Sequence, residues 1–572
     1  WCGWNMPKRK ASPIVPQAEH RVPKRKSKAQ RVADAKARDA EFEATIAAAQ
    51  AATQDYGGND VPPLAAPPPE VSLLTVDKEF RADVNALALA TSPDRSDKPE
   101  RFLAWLLAPM TPEQFFDDVY EQKPVHLRRT HEEYYRGFFS TAELDRQLAE
   151  CSLKWTEELD VTHYADGVRR TLNGDGVVSP AEVKARFGEG CSIRLSWPQR
   201  HSDAVWAMLA LIEERFGAGA GANVYATPAG CQGFAPHWDD INAFVLQLEG
   251  EKRWRLYAPR SEEERLPRFS SPNLAQDELG PLVADITLSP GDLLYLPRGI
   301  VHQAVSGASD SLHMTVSVGR QHSWRDLLEL GVMGALETAA LEHPPWRESL
   351  PPDFAAHMGV QHADASGEEA DAAPGAVAGA PSSRRAELGA RLRGMLSQLV
   401  ETMPIDAICD QFLARRFLFD RLPPRLAPAD AKWVHVPEAD VTLDSRLRLV
   451  SRHAARLAVE DGFIALYFCT HNTRVHHGVG EPQHIDFALE AAPALEAVLA
   501  AYPKFVAVSR LPADNDGMRL DIARALVEAR AVLVRPPKDE PELPRAAKPS
   551  SEGVMAQRAA AGQLVVPRKS FG

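Results

Sequence analysis

The sequence predicts an α+β protein whose centre is an antiparallel β-barrel or sandwich, with helices before and after it. Between residues 220 and 320, short apolar runs are separated by Gly and Pro, a pattern typical of antiparallel strands joined by tight turns. On both sides of this stretch, apolar residues recur at helical spacing. The chain has 572 residues, more than one core normally holds, so several domains are expected.

Individual elements can be predicted in the better-patterned parts of the chain. Upstream of the barrel, Phe102, Trp105 and Leu106 recur at helical spacing. Thr111 followed by Pro112 predicts the start of a second helix, because threonine caps N-termini and proline is tolerated at the first helical position. Five strands are predicted in the central stretch, at residues 223–226, 243–248, 253–257, 292–296 and 313–318.

Composition shifts along the chain predict the domain boundaries. Residues 1–95 are expected to be a disordered basic arm ending in a Pro-rich linker, and residues 537–572 a disordered tail. Between them we expect a barrel domain at 96–323, a helical region at 324–425 and a compact α/β domain at 430–536.

Charge is unevenly distributed. Residues 1–40 contain 11 Lys/Arg and 3 Asp/Glu, a net charge of +8. Because the whole chain has a net charge of −13, the remaining residues carry a net charge of −21. An acidic body attracts basic partners and repels nucleic acid, so direct nucleic-acid binding is not expected. Residues 7–10 and 23–26 both read Pro-Lys-Arg-Lys, which predicts nuclear import, with a merely basic tail as the alternative. The sequence does not separate nucleolus from nucleoplasm.

Cysteine usage and hydropathy exclude two further classes of protein. The six cysteines are scattered and form no CxxC pair, which argues against a zinc ribbon or a disulfide framework. No apolar run is long enough for a transmembrane helix, so a membrane partner is not expected.

A metal site is predicted by two motifs that are far apart in the chain. His237 and Asp239 form a His-x-Asp pair, and side chains two residues apart point to the same side of a strand. His302 follows 65 residues after His237, behind a Pro-Gly turn and an apolar strand. Two imidazoles and one carboxylate form the face that holds Fe(II) and leaves other positions open. We call these three residues the metal triad; by itself, a His-x-Asp pair is more often a capping or surface pair.

The stretches around the metal triad resemble the metal-binding halves of the JmjC/cupin 2-oxoglutarate oxygenases. The resemblance is closest to the ribosomal-oxygenase branch, which is described both as ribosomal protein histidyl hydroxylases and as histone lysine demethylases. It extends from about residue 101 to about 536 and includes residues 192–199 and 269–273. It implies a double-stranded β-helix (cupin/JmjC) barrel, then a helical dimerisation region and a C-terminal winged-helix-like domain.

The resemblance also implies roles for single residues. The metal triad would bind Fe(II), and Lys252 would pair with the far carboxylate of 2-oxoglutarate. Asn223 matches a second cosubstrate-binding position, while Tyr225 and Ser317 match positions near the substrate. No catalytic residue beyond the metal centre is expected, because hydrogen abstraction by such a centre needs no acid or base.

The predicted function is that of an Fe(II)/2-oxoglutarate-dependent protein hydroxylase acting on a histidine of a ribosomal protein. Demethylation of histone methyl-lysine is left open as a second activity. The alternatives are a protein that is primarily a histone lysine demethylase and transcriptional regulator, or a non-catalytic chromatin adaptor. The expected partners are a basic protein substrate and a second copy of the chain.

Two other patterns carry less weight. Residues 171–182 follow the EF-hand loop from its third position onward, but Thr171 stands where the first aspartate ligand belongs and no partner loop follows. His471, His476 and His477 lack a carboxylate at matching spacing, so structural or surface roles are expected for them.

Overall fold

The computed structural model describes residues 72–77, 86–91, 97–362, 380–460, 462–475 and 481–536, all within one compact unit. The two basic clusters, the predicted tail, and His476 and His477 lie outside the described residues. Within the predicted arm, a strand at Leu74–Asp77 and a helix at Ala86–Thr91 are described. The strand pairs in parallel with Val125–Arg128, so the prediction of disorder up to residue 95 does not hold for these two elements.

The strands of the described residues are numbered in chain order. They are β1 (Leu74–Asp77), β2 (Val125–Arg128), β3 (Leu159–Ala165), β4 (Val168–Thr171), β5 (Ser192–Ser196), β6 (Ala220–Thr227), β7 (Asn242–Glu249), β8 (Lys252–Tyr257), β9 (Leu282–Leu288), β10 (Leu293–Leu296), β11 (Val301–Ser306), β12 (Ser311–Val318), β13 (Arg446–Leu449), β14 (Ala455–Glu460), β15 (Phe463–Phe468), β16 (His484–Phe487), β17 (Val506–Ala507) and β18 (Val532–Arg535).

The α-helices are numbered in the same way. They are α1 (Ala86–Thr91), α2 (Lys98–Leu107), α3 (Pro112–Asp118), α4 (Thr141–Glu150), α5 (Pro180–Gly188), α6 (Asp203–Phe216), α7 (Trp324–Glu342), α8 (Phe354–His357), α9 (Ala380–Thr402), α10 (Ile405–Phe412), α11 (Leu418–Asp420), α12 (Pro428–Ala431), α13 (Ala492–Ala501) and α14 (Asp516–Glu528). Thr111 caps α3 as predicted, and its hydroxyl accepts the backbone N–H of Gln114.

Two sheets face each other in the first domain. The larger has the strand order β1-β2-β10-β7-β12-β6-β5-β3-β4, and the smaller has the order β11-β8-β9. Apolar side chains fill the space between them, among them Val245 and Leu294 from the larger sheet and Trp254, Leu256 and Leu288 from the smaller. The predicted antiparallel barrel is therefore confirmed, and its two-sheet form is the double-stranded β-helix. Each of the five predicted strands overlaps an observed one: β6, β7, β8, β10 and β12.

Strands β6 and β12 each have an apolar face and a polar face. Val224 and Val316 belong to the core cluster that packs against α2 and α6. Successive residues of a strand point to opposite faces, so Tyr225 on β6 and His313 on β12 point into the barrel. These two residues are directly opposite each other in the ladder. The helix side of the sheet therefore supplies stability, and its barrel side presents polar groups.

The Pro-Gly turn before β10 is fixed by close backbone packing. Gly291 has φ +94°, and a Cβ there would collide with the carbonyl oxygen of His131. The next residue, Asp292, accepts hydrogen bonds from the backbone N–H of Arg129 at 2.9 Å and from Nε2 of His126 at 3.0 Å. These bonds hold β2 beside β10, the strand that leads to the second metal-binding segment.

The C-terminal domain is joined to the barrel domain by a buried guanidinium. Arg421 is completely buried, and its Nε lies 3.9 Å from a carboxylate oxygen of Glu213 on α6. The same carboxylate accepts the backbone N–H of Leu422 at 3.0 Å. On its other side, Arg421 donates to the carbonyl oxygens of Arg452 and His453, at 3.2 and 2.8 Å. One side chain thus bridges the two domains.

None of the helices in the described ranges is long and apolar enough to cross a membrane.

We expect the Arg421→Met substitution to lower the free energy of unfolding by about 3–5 kcal/mol, because it leaves the buried Glu213 side chain and two backbone carbonyls without the guanidinium that bridges them. Urea unfolding followed by circular dichroism measures the loss. Arg452→Met is the matched control, since that side chain is exposed and its removal should cost no more than about 0.5 kcal/mol. The double variant Glu213→Gln/Arg421→Met should recover part of the loss. A double variant as unstable as the sum of its parts would contradict the bridging role.

Candidate metal centre

Two backbone hydrogen bonds bring the metal triad together. The N–H of His302 donates to the carbonyl of His237 at 2.9 Å, and the N–H of His237 donates to the carbonyl of His302 at 3.2 Å. His302 lies in β11, whereas His237 and Asp239 lie outside any regular strand, and His237 pairs with His302 as an isolated bridge. The expected strand is therefore present only as one bridge.

The ligand atoms of the metal triad face one another. They all lie within 4.8 Å of one another. Nε2 of His237 is 3.8 Å from one carboxylate oxygen of Asp239, and Nε2 of His302 is 3.8 Å from the other. Each imidazole directs its Nδ1 to the carbonyl oxygen two residues earlier, at 2.8 Å for His237 and 3.0 Å for His302. A carbonyl can only accept, so Nδ1 carries the proton and Nε2 keeps its lone pair for a metal.

The environment of His302 keeps its imidazole neutral. Burial is the largest cause, followed by the neighbouring His237, and together they lower the pKa of His302 to about 4. A neutral imidazole is the form that binds metals. The site can therefore accept a cation without first displacing a proton from this residue at neutral pH.

The carboxylate next to the triad, that of Asp240, faces a different group of residues. It accepts a hydrogen bond from the hydroxyl of Ser270 at 2.8 Å and one from Nε of Arg320 at 3.1 Å. The hydroxyl of Ser271 in turn accepts the backbone N–H of Trp238 at 2.9 Å. The loop between β8 and β9 thus lies along the metal-binding segment and holds it in place.

Lys252 lies inside the same barrel. Its side chain is buried, and Nζ donates to the hydroxyl of Thr227 at 2.8 Å. Burial lowers the pKa of Lys252 to about 7. An anion placed beside this ammonium would favour its charged form.

The other predicted site residues lie on the polar faces of β6 and β12. Asn223 and Tyr225 are two residues apart on β6 and share the barrel face, as Ser317 does on β12. The Tyr225 ring packs edge-on against Phe234, with centroids 5.4 Å apart, and Phe234 lies 6.4 Å from the ring of His237. Phe234 thus connects Tyr225 to the triad. Burial is the largest cause that raises the pKa of Tyr225, and the negative charge of Asp239 raises it further.

Comparison with known proteins decides the family. The JmjC domain model matches residues 194–327, and the model described as the C-terminal winged helix domain of Ribosomal oxygenase 1 matches residues 427–537. Ribosomal oxygenase 1 of Danio rerio is 39% identical over 469 residues, covering 80% of this chain and 83% of the relative. The Bifunctional lysine-specific demethylase and histidyl-hydroxylase NO66 of Dictyostelium discoideum is 40% identical, covering 78% of this chain and 85% of the relative.

This chain belongs to the ribosomal oxygenase family. It is a JmjC-domain dioxygenase that uses Fe(II) and 2-oxoglutarate, and its C-terminal domain is a winged helix. Among solved structures, the Escherichia coli protein YcfD is similar with a TM-score of 0.42 and 16% identity, covering 75% of this chain and 99% of that one.

The geometry of this ribosomal oxygenase fits the ion that its family uses. Two imidazole nitrogens with free lone pairs and one carboxylate form the facial donor set of non-haem Fe(II) oxygenases. The assignment of each residue to Fe(II), 2-oxoglutarate or substrate stays a prediction.

Two residues of the oxygenase site are missing from the sequence-based prediction. Thr227, the partner of Lys252, lies one residue beyond the predicted strand 223–226. Extending the alternation of Asn223 and Tyr225 by two residues would have placed it on the barrel face. Trp254 contacts both His302 and His313, with ring centroids 5.8 and 5.4 Å apart. Nothing local to Trp254 distinguishes it from an ordinary core tryptophan.

In the EF-hand-like stretch and the C-terminal histidines, the described side chains take part in ordinary structural contacts. Asn173 of the EF-hand-like stretch accepts the backbone N–H of Val161 at 2.8 Å and donates to Asp160 at 2.7 Å. Its side chain therefore anchors the β3–β4 hairpin. The ring of His471 packs edge-on against Phe468, which suits the structural role expected for it.

We expect Asp239→Asn to weaken Mn(II) binding by more than about 100-fold, because removal of a direct ligand should exceed the about 10–100-fold cost of losing a supporting residue. Asp240→Asn is the matched control: it is the same change one residue away, on a carboxylate bonded to Ser270 and Arg320. Its effect should stay below about tenfold. Paramagnetic resonance of free Mn(II) measures both, and equal losses would contradict the assignment of Asp239.

Proposed function

We propose that this oxygenase hydroxylates a histidine side chain of a ribosomal protein, with the metal triad binding Fe(II) and Lys252 binding the far carboxylate of 2-oxoglutarate. The observation that carries the proposal is the cluster of two imidazoles and one carboxylate in a barrel that also holds a buried lysine. Relatives are named Ribosomal oxygenase and, in Dictyostelium discoideum, Bifunctional lysine-specific demethylase and histidyl-hydroxylase. The second name keeps demethylation of histone methyl-lysine as the second candidate.

The protein's own residues orient the reactants and exclude water. Fe(II), when bound with 2-oxoglutarate and O2, supplies C–H hydroxylation with succinate and CO2 as co-products. The backbone bridge and the two Nδ1–carbonyl bonds fix both imidazoles, so the Nε2 atom of each would be held ready to bind the metal. The ammonium of Lys252 would anchor a dianion in a largely dry interior, where the attraction is less screened than in water. No residue has to move a proton for the C–H bond to react.

Charges near Tyr225 favour a neutral target side chain over a cationic one. Arg194 on β5 is opposite Tyr225 in the ladder and pairs with Asp160. Arg169 covers the ring of Phe234 at 4.4 Å from its centroid, and burial together with Arg194 lowers its pKa. Two guanidiniums thus lie within electrostatic range of one carboxylate, that of Asp160, and only Arg194 pairs with it directly. A methyl-lysine ammonium would be repelled there, whereas a neutral imidazole would not be.

The test presents both classes of substrate to one enzyme. The protein, with Fe(II), 2-oxoglutarate and O2, is incubated with histidine-containing ribosomal-protein peptides and with methylated histone peptides, and mass spectrometry follows both. We expect gain of one oxygen on a histidine, absent with His237→Ala. Loss of a methyl group with formaldehyde release, and no oxygen gain, would make demethylation the main activity. Neither product and no succinate would overturn the oxygenase proposal.

We also propose that the helical region forms a homodimer. The exposed residues Leu328, Val332 and Leu336 recur every four positions along α7. Leu392, Leu396 and Val400 do the same along α9 and are at least half exposed, at 52%, 51% and 68%. Apolar stripes of this kind at the surface are typical of protein–protein contacts.

We expect the full chain to have the mass of a dimer in light scattering at micromolar concentration, and Leu396→Glu to give a monomer because it places a charge in the stripe. Gln398→Glu introduces the same charge on an exposed position across the helix and should leave the dimer intact. A monomeric mass for the unsubstituted chain would contradict the proposal.

We also propose that the protein is located in the nucleus and, within it, in the nucleolus. It is supported by the two Pro-Lys-Arg-Lys clusters, which lie outside the described residues, and by relatives named for ribosomal substrates.

A further inference from the structure

His313 is a buried histidine, and one of its ring nitrogens has no hydrogen-bond partner among the described residues. Its side chain is 3% exposed. Among the residues that the structure describes, none comes within hydrogen-bond distance of its buried Nδ1. A neutral imidazole offers one N–H donor and one acceptor nitrogen, and burying either without a partner is unfavourable. A buried nitrogen of this kind therefore points to a ligand.

The ring of His313 is fixed inside the barrel. It stacks on Tyr225 with centroids 4.8 Å apart and planes 7° apart. Trp254 meets it edge-on at 5.4 Å, and the same tryptophan lies 5.8 Å from the ring of His302. The imidazole is clamped between two aromatic rings on the side of the sheet that faces the metal triad.

The clamp places His313 next to Lys252. Tyr225, which stacks on His313, is two residues before Thr227 on β6, and Thr227 binds the ammonium of Lys252. Burial is the largest cause that holds the pKa of His313 well below its usual value, and the charge of Lys252 is the next largest. The barrel interior therefore offers one ammonium and one neutral imidazole within electrostatic range of each other.

A carboxylate needs more donors than Lys252 alone provides in this arrangement. Its two oxygens offer about four acceptor sites, and one of the ammonium's three protons already goes to Thr227. We propose that Nδ1–H of His313 donates to the second oxygen of the far carboxylate of 2-oxoglutarate, next to Lys252. The inference rests on the proposed function, because it needs the cosubstrate in that pocket. It makes His313 a cosubstrate-binding residue as well as a packing residue.

The test compares two ligands that differ only at the far carboxylate. The full chain loaded with Mn(II) is titrated calorimetrically with 2-oxoglutarate and with 2-oxopentanoate, in which a methyl group replaces that carboxylate. We expect His313→Phe, which keeps an aromatic ring in the clamp, to weaken 2-oxoglutarate about tenfold or more. Its effect on 2-oxopentanoate should stay within about twofold, because that ligand lacks the far carboxylate that His313 would bind.

His313→Asn is the rescue variant. Its amide nitrogen lies near the position of Nδ1, so it should restore most of the 2-oxoglutarate affinity although it removes the aromatic ring. A purely structural role predicts the opposite order, with Phe tolerated and Asn damaging. That order, or equal loss of both ligands in His313→Phe, would overturn the inference.

Lys252→Met separates this inference from the proposed function. It should remove the preference for 2-oxoglutarate over 2-oxopentanoate. If it does so while His313→Phe leaves 2-oxoglutarate binding unchanged, the proposed site stands and the role of His313 is wrong. If the unsubstituted Mn(II)-loaded chain shows no preference between the ligands, the placement of 2-oxoglutarate at Lys252 fails, and the inference about His313 fails with it.

Discussion

The metal site depends on the backbone bridge between His237 and His302. These residues are 65 positions apart, and two hydrogen bonds at 2.9 and 3.2 Å fix them side by side. Each imidazole is then turned by the same local rule, since each Nδ1 donates to the carbonyl two residues earlier. With both Nδ1 atoms committed to carbonyls, both Nε2 atoms are left to face Asp239. The main chain, more than the surrounding side chains, sets the donor geometry of this oxygenase.

The proposed cosubstrate pocket depends on a different constraint, the two-sided burial of the larger sheet. Helix α6 takes one face of β6 and β12, so the apolar residues of these strands are used there. The alternating residues must then face the barrel, and in this chain they are polar or aromatic, as Tyr225, Thr227 and His313 are. Stability and site chemistry are thus divided between the two faces of the same strands.

The winged helix and the helical region make different kinds of contact. Arg421 joins the winged helix to the barrel domain through Glu213 and through two backbone carbonyls. The stripes on α7 and α9 face outward and are available for a second copy of the chain. The Arg421 contact within the chain is thereby polar and buried, while the proposed contact between chains is apolar. The two can be disrupted independently by substitution.

Local patterns in the sequence determined five strands of the barrel and the cap at Thr111, because alternation and capping act over a few residues. Two motifs also singled out His237, Asp239 and His302, whose ligand atoms the fold brings within 4.8 Å of one another. They did not determine that His237 lies in a single bridge outside a regular strand. Nor did they indicate that Thr227 binds Lys252, that His313 keeps a buried nitrogen without a partner, or that Arg421 is completely buried. Only the tertiary structure decided these points, because each depends on which distant segment packs against the residue. The periodicity of apolar residues predicts which side chains lie on the same face of a strand or helix. The burial of those side chains and their hydrogen-bond partners depend on the elements that pack on that face.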